Sequence, residues 1–463
     1  MHTVCNCVLA SCILCHARLP HQSILAHDQR LTAPSLRRIL GVGDGLAIVV
    51  GAVIGVGILR TPGLIAGYLS DPLLIISTWV LGGVVALLAS LVFAELAAMY
   101  PEAGGKFVYA REAFGPVAGF VTGWAEIVVT RGFSAASKAI VIGEYLILLT
   151  GWGAIRIWAA GVVLLFLTIN LMGLRTGRIF QNTVTAIKVA LILLIIAAGF
   201  WGGDGASWQI SGTFAPTDGR LLGFALAYLA ISFTYYGWDD FLKLAGEVKD
   251  PGRTLPRVLI FGAVSVAVLY LFINLAFLAA LTPAEAAGSP LVAADAVATV
   301  LGDAGRRLIT VAALVILVSS LNVQFMGLPR VAYGLARQGL APKPFERLSK
   351  VGTPVTGLLV VSGLIFVMAM TRSFELLIQY LAFVAISVDA MVLLSLFRLR
   401  HIRPDVDRPF LTPGYPVLPA FTLGLYATLF GIITTTQPEL ALGGAGLLAT
   451  LAIAGWWWTR GSR

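Results

Sequence analysis

Apolar runs of about 20 residues recur along almost the whole chain, each long enough to cross roughly 30 Å of bilayer hydrocarbon as a helix. They fall near 40–68, 72–98, 113–148, 154–173, 180–201 and 221–248, and again near 255–281, 306–337, 353–370, 373–397, 417–436 and 439–459. In lipid every backbone N–H and C=O must be satisfied within the chain, which leaves only helices or a closed barrel, and runs of this length select helices. Composition agrees, since 58% of the 463 residues are hydrophobic and only 12% are charged, more apolar than a water-soluble core requires. The chain reads as an all-α integral membrane protein with about twelve transmembrane helices.

Two of these runs carry a glycine-marked interruption at about the same depth, Gly55-Val56-Gly57 in the first and Tyr236-Gly237-Trp238 in the sixth. A helix has no reason to open its hydrogen-bonding ladder in hydrocarbon unless the freed backbone lines a cavity. Paired interruptions in corresponding positions of two halves point to a binding site near the midplane, between inverted repeats. Close helix packing through small residues is the other reading of each glycine.

Basic residues alternate along the chain as membrane topology demands. Arg37, Arg38, Lys106, Arg111, Arg175, Arg178, Lys249, Arg253, Arg257, the run from Arg337 to Lys350, the loop from Arg398 to Arg408 and the tail ending at Arg463 share one side. The segments around Ser70 to Asp71, 202–220, 282–305 and 434–439 are poor in bases and fall on the other. Both termini are then cytoplasmic, and the net charge of +9 is mostly topology. Bases scattered between spans argue against a nucleic-acid partner.

The first 35 residues hold all four cysteines (Cys5, Cys7, Cys12, Cys15) and four of the five histidines (His2, His16, His21, His27). Their spacing matches no common zinc module, and they are read as a disordered or mis-started extension with no metal and no cofactor. Beyond them only His401 remains, with no Gly-x-Ser-x-Gly, Walker loop or metal-ligand helix, so an enzyme is not expected.

The stretch Phe233-Thr-Tyr-Tyr-Gly-Trp-Asp239, followed by Gly246-Glu-Val-Lys-Asp-Pro-Gly-Arg-Thr-Leu-Pro-Arg257, resembles the sixth helix and following loop of the amino acid, polyamine and organocation transporters. Within that superfamily it is most similar to the L-type amino-acid transporters and their bacterial relatives. Val53-Ile-Gly-Val-Gly-Ile-Leu59 is similar to the first-helix motif, and Ala94-Glu-Leu-Ala-Ala-Met-Tyr-Pro-Glu-Ala-Gly-Gly105 to the signature ending the second helix. Trp124 to Arg131 looks like the third helix, and Leu328 to Pro342 like the ending of the eighth. The resemblance implies a five-plus-five inverted repeat of the LeuT type with discontinuous helices 1 and 6. The repeats would span about 36–201 and 220–400, with two extra helices in about 415–460, all in one transport domain over 36–463.

A zwitterionic amino acid needs its carboxylate and its ammonium resolvated. Backbone N–H groups at Val56, Gly57 and Ile58, opening the second half of helix 1, suit the carboxylate. Carbonyls freed near Phe233, Thr234 and Tyr236, at the end of the first half of helix 6, suit the ammonium, and the resemblance implies the same assignment. Gly55 and Gly237 supply the backbone freedom, and Phe233 and Trp238 offer rings beside the site. The family's phenylalanine at the Phe233 position is an outer gate.

Lys188 lies inside the fifth span, where a charge is costly unless it meets a cavity or a partner or snorkels to the interface. A lysine placed like this stands in the family where sodium-coupled relatives bind a cation, and it ties the first helix to the eighth. The matching neighbours would be Gly55, Ser320 and Tyr270, and the inference is sodium independence. Proton exchange at the lysine would make the protein a symporter instead of an exchanger.

Asp239 departs from the family's Asn and is either the N-cap of the next half-helix or a carboxylate acting on substrate or proton. Glu126 and Arg131 are read as pairing with each other or with neighbouring helices, and Glu95, Lys106, Arg111, Glu247 and Arg257 as an inner gate network or as interfacial charges. The expected activity is secondary-active transport of neutral L-amino acids by exchange or with protons. A non-transporting sensor and a carrier of cationic amino acids or polyamines are the alternatives. Mammalian L-type carriers hold an accessory glycoprotein through a cysteine between helices 3 and 4. None occurs from Leu149 to Arg156, so no disulfide-linked partner is expected.

Overall fold

The computed structural model describes residues 36–55, 57–202, 220–289, 291–370 and 374–461. Val56, the cysteine- and histidine-rich segment 1–35 and most of the base-poor segment 202–220 lie outside the described residues. The first run is two helices, α1 (Val42–Val53) and α2 (Gly57–Tyr68), bent by 45° at the break. There follow α3 (Pro72–Met99), α4 (Lys106–Phe114) and α5 (Pro116–Ala125), which passes through a π-helical stretch (Glu126–Phe133) into α6 (Ser134–Thr150). Next come α7 (Ile155–Leu171), α8 (Leu174–Gly202) and α9 (Arg220–Thr234), then a ten-residue 3₁₀ segment (Trp238–Glu247). The remainder is α10 (Pro251–Ala280), α11 (Pro283–Gly288), α12 (Val292–Arg337), α13 (Val355–Met370), α14 (Phe374–Ile402), α15 (Val417–Thr436) and α16 (Pro438–Gly461).

Among the described residues eight helices are long and apolar enough to cross a membrane, or nine if α1 and α2 count as one bent span. The helices α7 and α13 are apolar but shorter, at 17 and 16 residues. The periphery is greasy. Only 11% of the most apolar window of α16 and 28% of that of α8 are buried inside the protein, so these helices leave their hydrocarbon faces uncovered, as a lipid surrounding requires.

Local signals set several boundaries. The carboxylate of Asp71 accepts hydrogen bonds from the N–H groups of Leu73 (2.7 Å) and Leu74 (3.1 Å), and Pro72 follows at the first helical position of α3. Two boundaries differ from the hydropathy reading. The eighth run begins at Val292, because the helix continues, with a break at Gly302 (φ 55°), across the polar stretch Gly302-Asp303-Ala304-Gly305-Arg306-Arg307 that interrupts the hydropathy. The fifth begins at Leu174, since Arg178 stays helical while it reaches Asp44 of α1 at 3.4 Å.

Helices α1 and α2, the two interrupted halves of the first run, sit at the centre. The first packs on α8, α10, α12 and the 3₁₀ segment, the second on α9 and α11. Buried amides and hydroxyls tie the frame around them. Gln181 donates to Thr185 and to Ser319 (both 3.0 Å), and Asn322 donates to Gln181 (3.0 Å), joining α8 to α12. In an apolar surrounding such pairs are satisfied only in one register, which holds the frame while the centre stays broken.

Candidate substrate site at two helix breaks

A helix leaves its last carbonyls without partners. At the end of α1 every one is met by a side chain from another helix. Lys188 Nζ donates to Gly51 O (2.8 Å) and Ile54 O (2.7 Å), and Ser320 Oγ donates to Ala52 O (3.1 Å). The Tyr270 hydroxyl lies 3.0 Å from Val53 O and 3.1 Å from Thr234 O, so one proton serves both breaks. Ser320 and Tyr270 bind this end as well, while the hydrogen bonds of Lys188 go to α1 alone and not to the eighth run. Lys188 grips Gly51 and Ile54 and not Gly55.

The second break runs through Tyr235 and Tyr236 to Gly237, whose φ of 129° is foreign to residues with a side chain. Tyr236 N–H turns back to Phe233 O (3.1 Å) and Asp240 N–H to Gly237 O (3.1 Å), starting the 3₁₀ segment. A Cβ on Gly237 would stand 3.2 Å from the carbonyl carbon of Ala52, so the two breaks touch backbone to backbone. Thr234 Oγ1 donates to Thr61 Oγ1 (3.0 Å), linking α9 to α2 beside them.

A cavity of 570 Å³ opens on this junction. Gly55, Gly57, Phe233, Thr234, Tyr236 and Ser320 line it, and it extends between α2 and α6 to Leu64, Glu144 and Leu148. Gly55 faces open space, since an added Cβ would meet only Val53 O at 3.9 Å. Ile58, Gly237, Trp238, Asp239, Lys188 and Tyr270 stand outside the wall. Trp238 is buried edge-on against Phe93 (4.8 Å between centroids), where it cannot cap a ligand in this cavity. Of the carbonyls assigned to the ammonium, those of Phe233 and Thr234 each already have one partner and keep one lone pair.

Below Tyr236 the opposite end is closed by charge. Lys106 Nζ is 2.8 Å from Asp239, 2.6 Å from Asp389 and 3.1 Å from the Tyr236 hydroxyl. Arg131 reaches Asp239 (2.7 Å) and Asp240 (2.9 Å), and Lys243 reaches Glu126 (3.0 Å) and Asp240. Every member is at most 3% exposed, and four carboxylates face three cations. The Tyr236 ring is sandwiched, with Lys106 5.0 Å and Arg131 4.3 Å from its centroid.

These contacts correct several sequence readings. Asp239 is neither an N-cap, the cap position being Gly237 with no side-chain bond, nor a wall residue. It is an ion-pair acceptor, since Lys106 and Arg131 beside it compensate the cost of burying its charge. For Glu126 and Arg131 the second of the two expected pairings is the one found, since both pair with the 3₁₀ segment and not with each other. Lys106 is no loop base but a buried partner of two acids. The expected gate residues split into separate contacts, with Glu95 held by Arg400 (2.6 Å), Glu247 by Arg330 (3.0 Å) and Arg111 bonded to Gln338 and Glu112.

Two charged residues went unremarked in the sequence. Asp389 in α14 completes the ion cluster, and Lys138 in α6 lines the cavity. Each had the signal that singled out Lys188, an ionisable group inside an apolar run.

The model of a family described as Amino acid permease matches residues 40–455. A serine/threonine exchanger, SteT, of Bacillus subtilis is 30% identical over 424 residues, covering 90% of this chain and 95% of that protein. A b(0,+)-type amino acid transporter of Mus musculus is 28% identical over 88% of this chain and 85% of its own length. An Asc-type amino acid transporter of Mus musculus is 28% identical over 81% and 73%.

Proposed function

Because the chain belongs to the amino acid permease family, we propose that it is a secondary-active amino-acid transporter working by alternating access, sodium-independent, and exchanging neutral L-amino acids or carrying them with protons. The observation that carries this reading is the meeting of two helix breaks on one cavity. The start of α2 on the cavity wall, at Gly57, is the carboxylate's donor, and the remaining lone pairs at Phe233, Thr234 and Tyr236 are the ammonium's acceptors. Sodium independence rests on Lys188, whose fixed ammonium already occupies the carbonyl end of α1. A cationic amino acid is disfavoured by the like charges of Arg60, Arg131 and Lys138 on the wall.

In this reading the twelve apolar runs form five-plus-five repeats with two further helices in a bacterial cytoplasmic membrane, both termini inside and no disulfide-linked partner. The cavity, which runs between α2 and α6 to Leu64 and Leu148, is in this reading outward-open, and the ion cluster beneath Tyr236 is the closed inner side. Turnover requires that cluster to part as α2 and α6 close.

The test is uptake of labelled L-amino acids into proteoliposomes, with and without internal amino acid, a pH gradient and sodium. Internal substrate is expected to accelerate uptake in an exchanger, and the gradient to drive it in a symporter. Replacing sodium with choline should leave the rate unchanged. Binding without flux would move the protein to the sensor reading.

A further inference from the structure

Lys138 is used by nothing described so far. It lies in α6, just past the π-helical stretch, on the wall of the cavity that Gly55, Phe233 and Tyr236 also line. Among the described residues it makes no hydrogen bond and no ion pair. Its neighbour Ser137 lines the same wall, is 4% exposed, and has no hydrogen-bond partner for Oγ. Ser134, one turn earlier, is by contrast bonded to Gln324 (3.1 Å).

Unpaired polar groups withdrawn from bulk water are costly, and an ammonium most of all. The acids nearest in the fold do not answer it. Glu126, Asp239, Asp240 and Asp389 are shared among Lys106, Arg131 and Lys243, and Glu144 stands near the mouth without an ion pair to Lys138. The unpaired Lys138 side chain on the cavity wall offers a donor to whatever enters, and the Ser137 hydroxyl next to it in the chain is buried without a partner. A substrate's α-carboxylate goes to the start of α2 in the reading above, on which this inference rests. The acceptor that meets Lys138 must then belong to the substrate's side chain.

We propose that Lys138, supported by Ser137, is the side-chain subsite and selects amino acids whose side chain ends in an oxygen acceptor, a carboxylate before an amide or a hydroxyl. This narrows the neutral class to its polar members and adds the acidic ones. Charge-assisted hydrogen bonds are the stronger kind, which sets the order. Side chains ending in a cation are refused by the same ammonium, and hydrocarbon side chains leave both donors unpaired.

The test is competition by aspartate, asparagine, serine, leucine and lysine against labelled alanine uptake into proteoliposomes. Alanine is the reporter because its side chain reaches no subsite. In the wild type aspartate and asparagine should inhibit about tenfold or more better than leucine. In Lys138→Met the ratio of aspartate to leucine inhibition should fall by about the same factor, while Lys138→Arg keeps it. Ser137→Ala, a milder change, should lower the ratio in the same direction. A ratio unchanged in Lys138→Met, or leucine or lysine as the best wild-type competitor, overturns the assignment. If alanine is carried but the ratios do not move, only the subsite falls; if no amino acid is carried, the transporter reading falls with it.

Discussion

Lys188 and Gly237 show how little chemistry the centre of the protein needs. A charged donor to a carbonyl is worth about 1.5–3 kcal/mol, and Lys188 makes two such bonds to the end of α1. Lys188→Met keeps the length and apolar stem but leaves Gly51 O and Ile54 O bare, so uptake should drop by about tenfold or more while the protein still purifies as a monodisperse species. Unchanged initial rates would remove the lysine from the coupling machinery. Gly237→Ala meets two obstacles at once, a left-handed φ of 129° and the backbone of Ala52 at 3.2 Å. The left-handed cost alone is about 1–2 kcal/mol, so a lowered Tm together with lost uptake is the expected outcome, and wild-type behaviour in both would show that the breaks do not touch. Both residues were legible in the sequence, one as a charge in an apolar run and the other as a glycine in a break. Lys138 carried the same mark as Lys188 and was still missed, because what distinguishes it is the lack of a partner, a property of the surroundings.

At the scale of elements, the 3₁₀ segment Trp238–Glu247 and the π-helical stretch Glu126–Phe133 face each other across the ion cluster. Neither winding is the usual helix, and each re-aims charges that a regular α-helix would have spread around its circumference. Removing one member of a buried ion set typically costs about 3–5 kcal/mol, since the remaining charge is stranded. Lys106→Met strands Asp389 beside Asp239 and should lower Tm in detergent clearly. The double variant with Asp389→Asn should recover part of that loss, because Asp239 keeps Arg131. No recovery in the double variant would mean that Lys106 and Asp389 act independently. The sequence foretold that Glu126 and Arg131 needed partners but not which, since Arg131 and Asp239 are 108 positions apart and Lys106 and Asp389 are 283 apart.

At the scale of the molecule, the cavity at the two breaks and the buried ion cluster meet at Tyr236 and Arg131, which belong to both. Val141 lines this cavity one helical turn beyond Lys138. In a background with Cys5, Cys7, Cys12 and Cys15 replaced by serine, Val141→Cys should react with a membrane-impermeant thiol reagent from the side bearing Tyr68 and Thr150. Saturating transported amino acid should slow that reaction as α2 and α6 close. Labelling at the same rate with and without substrate would show that this mouth is not the part that moves.

Membrane residence, the all-helical build and the two interruptions follow from the order of apolar, basic and glycine residues, because each is a local property of a segment some 20 residues long. Which charge meets which, why Asp239 faces cations and not substrate, and why Lys138 is left facing the cavity were decided only when those helices packed. Pairing energy depends on distance and on exclusion of water, and neither exists until the chain has folded.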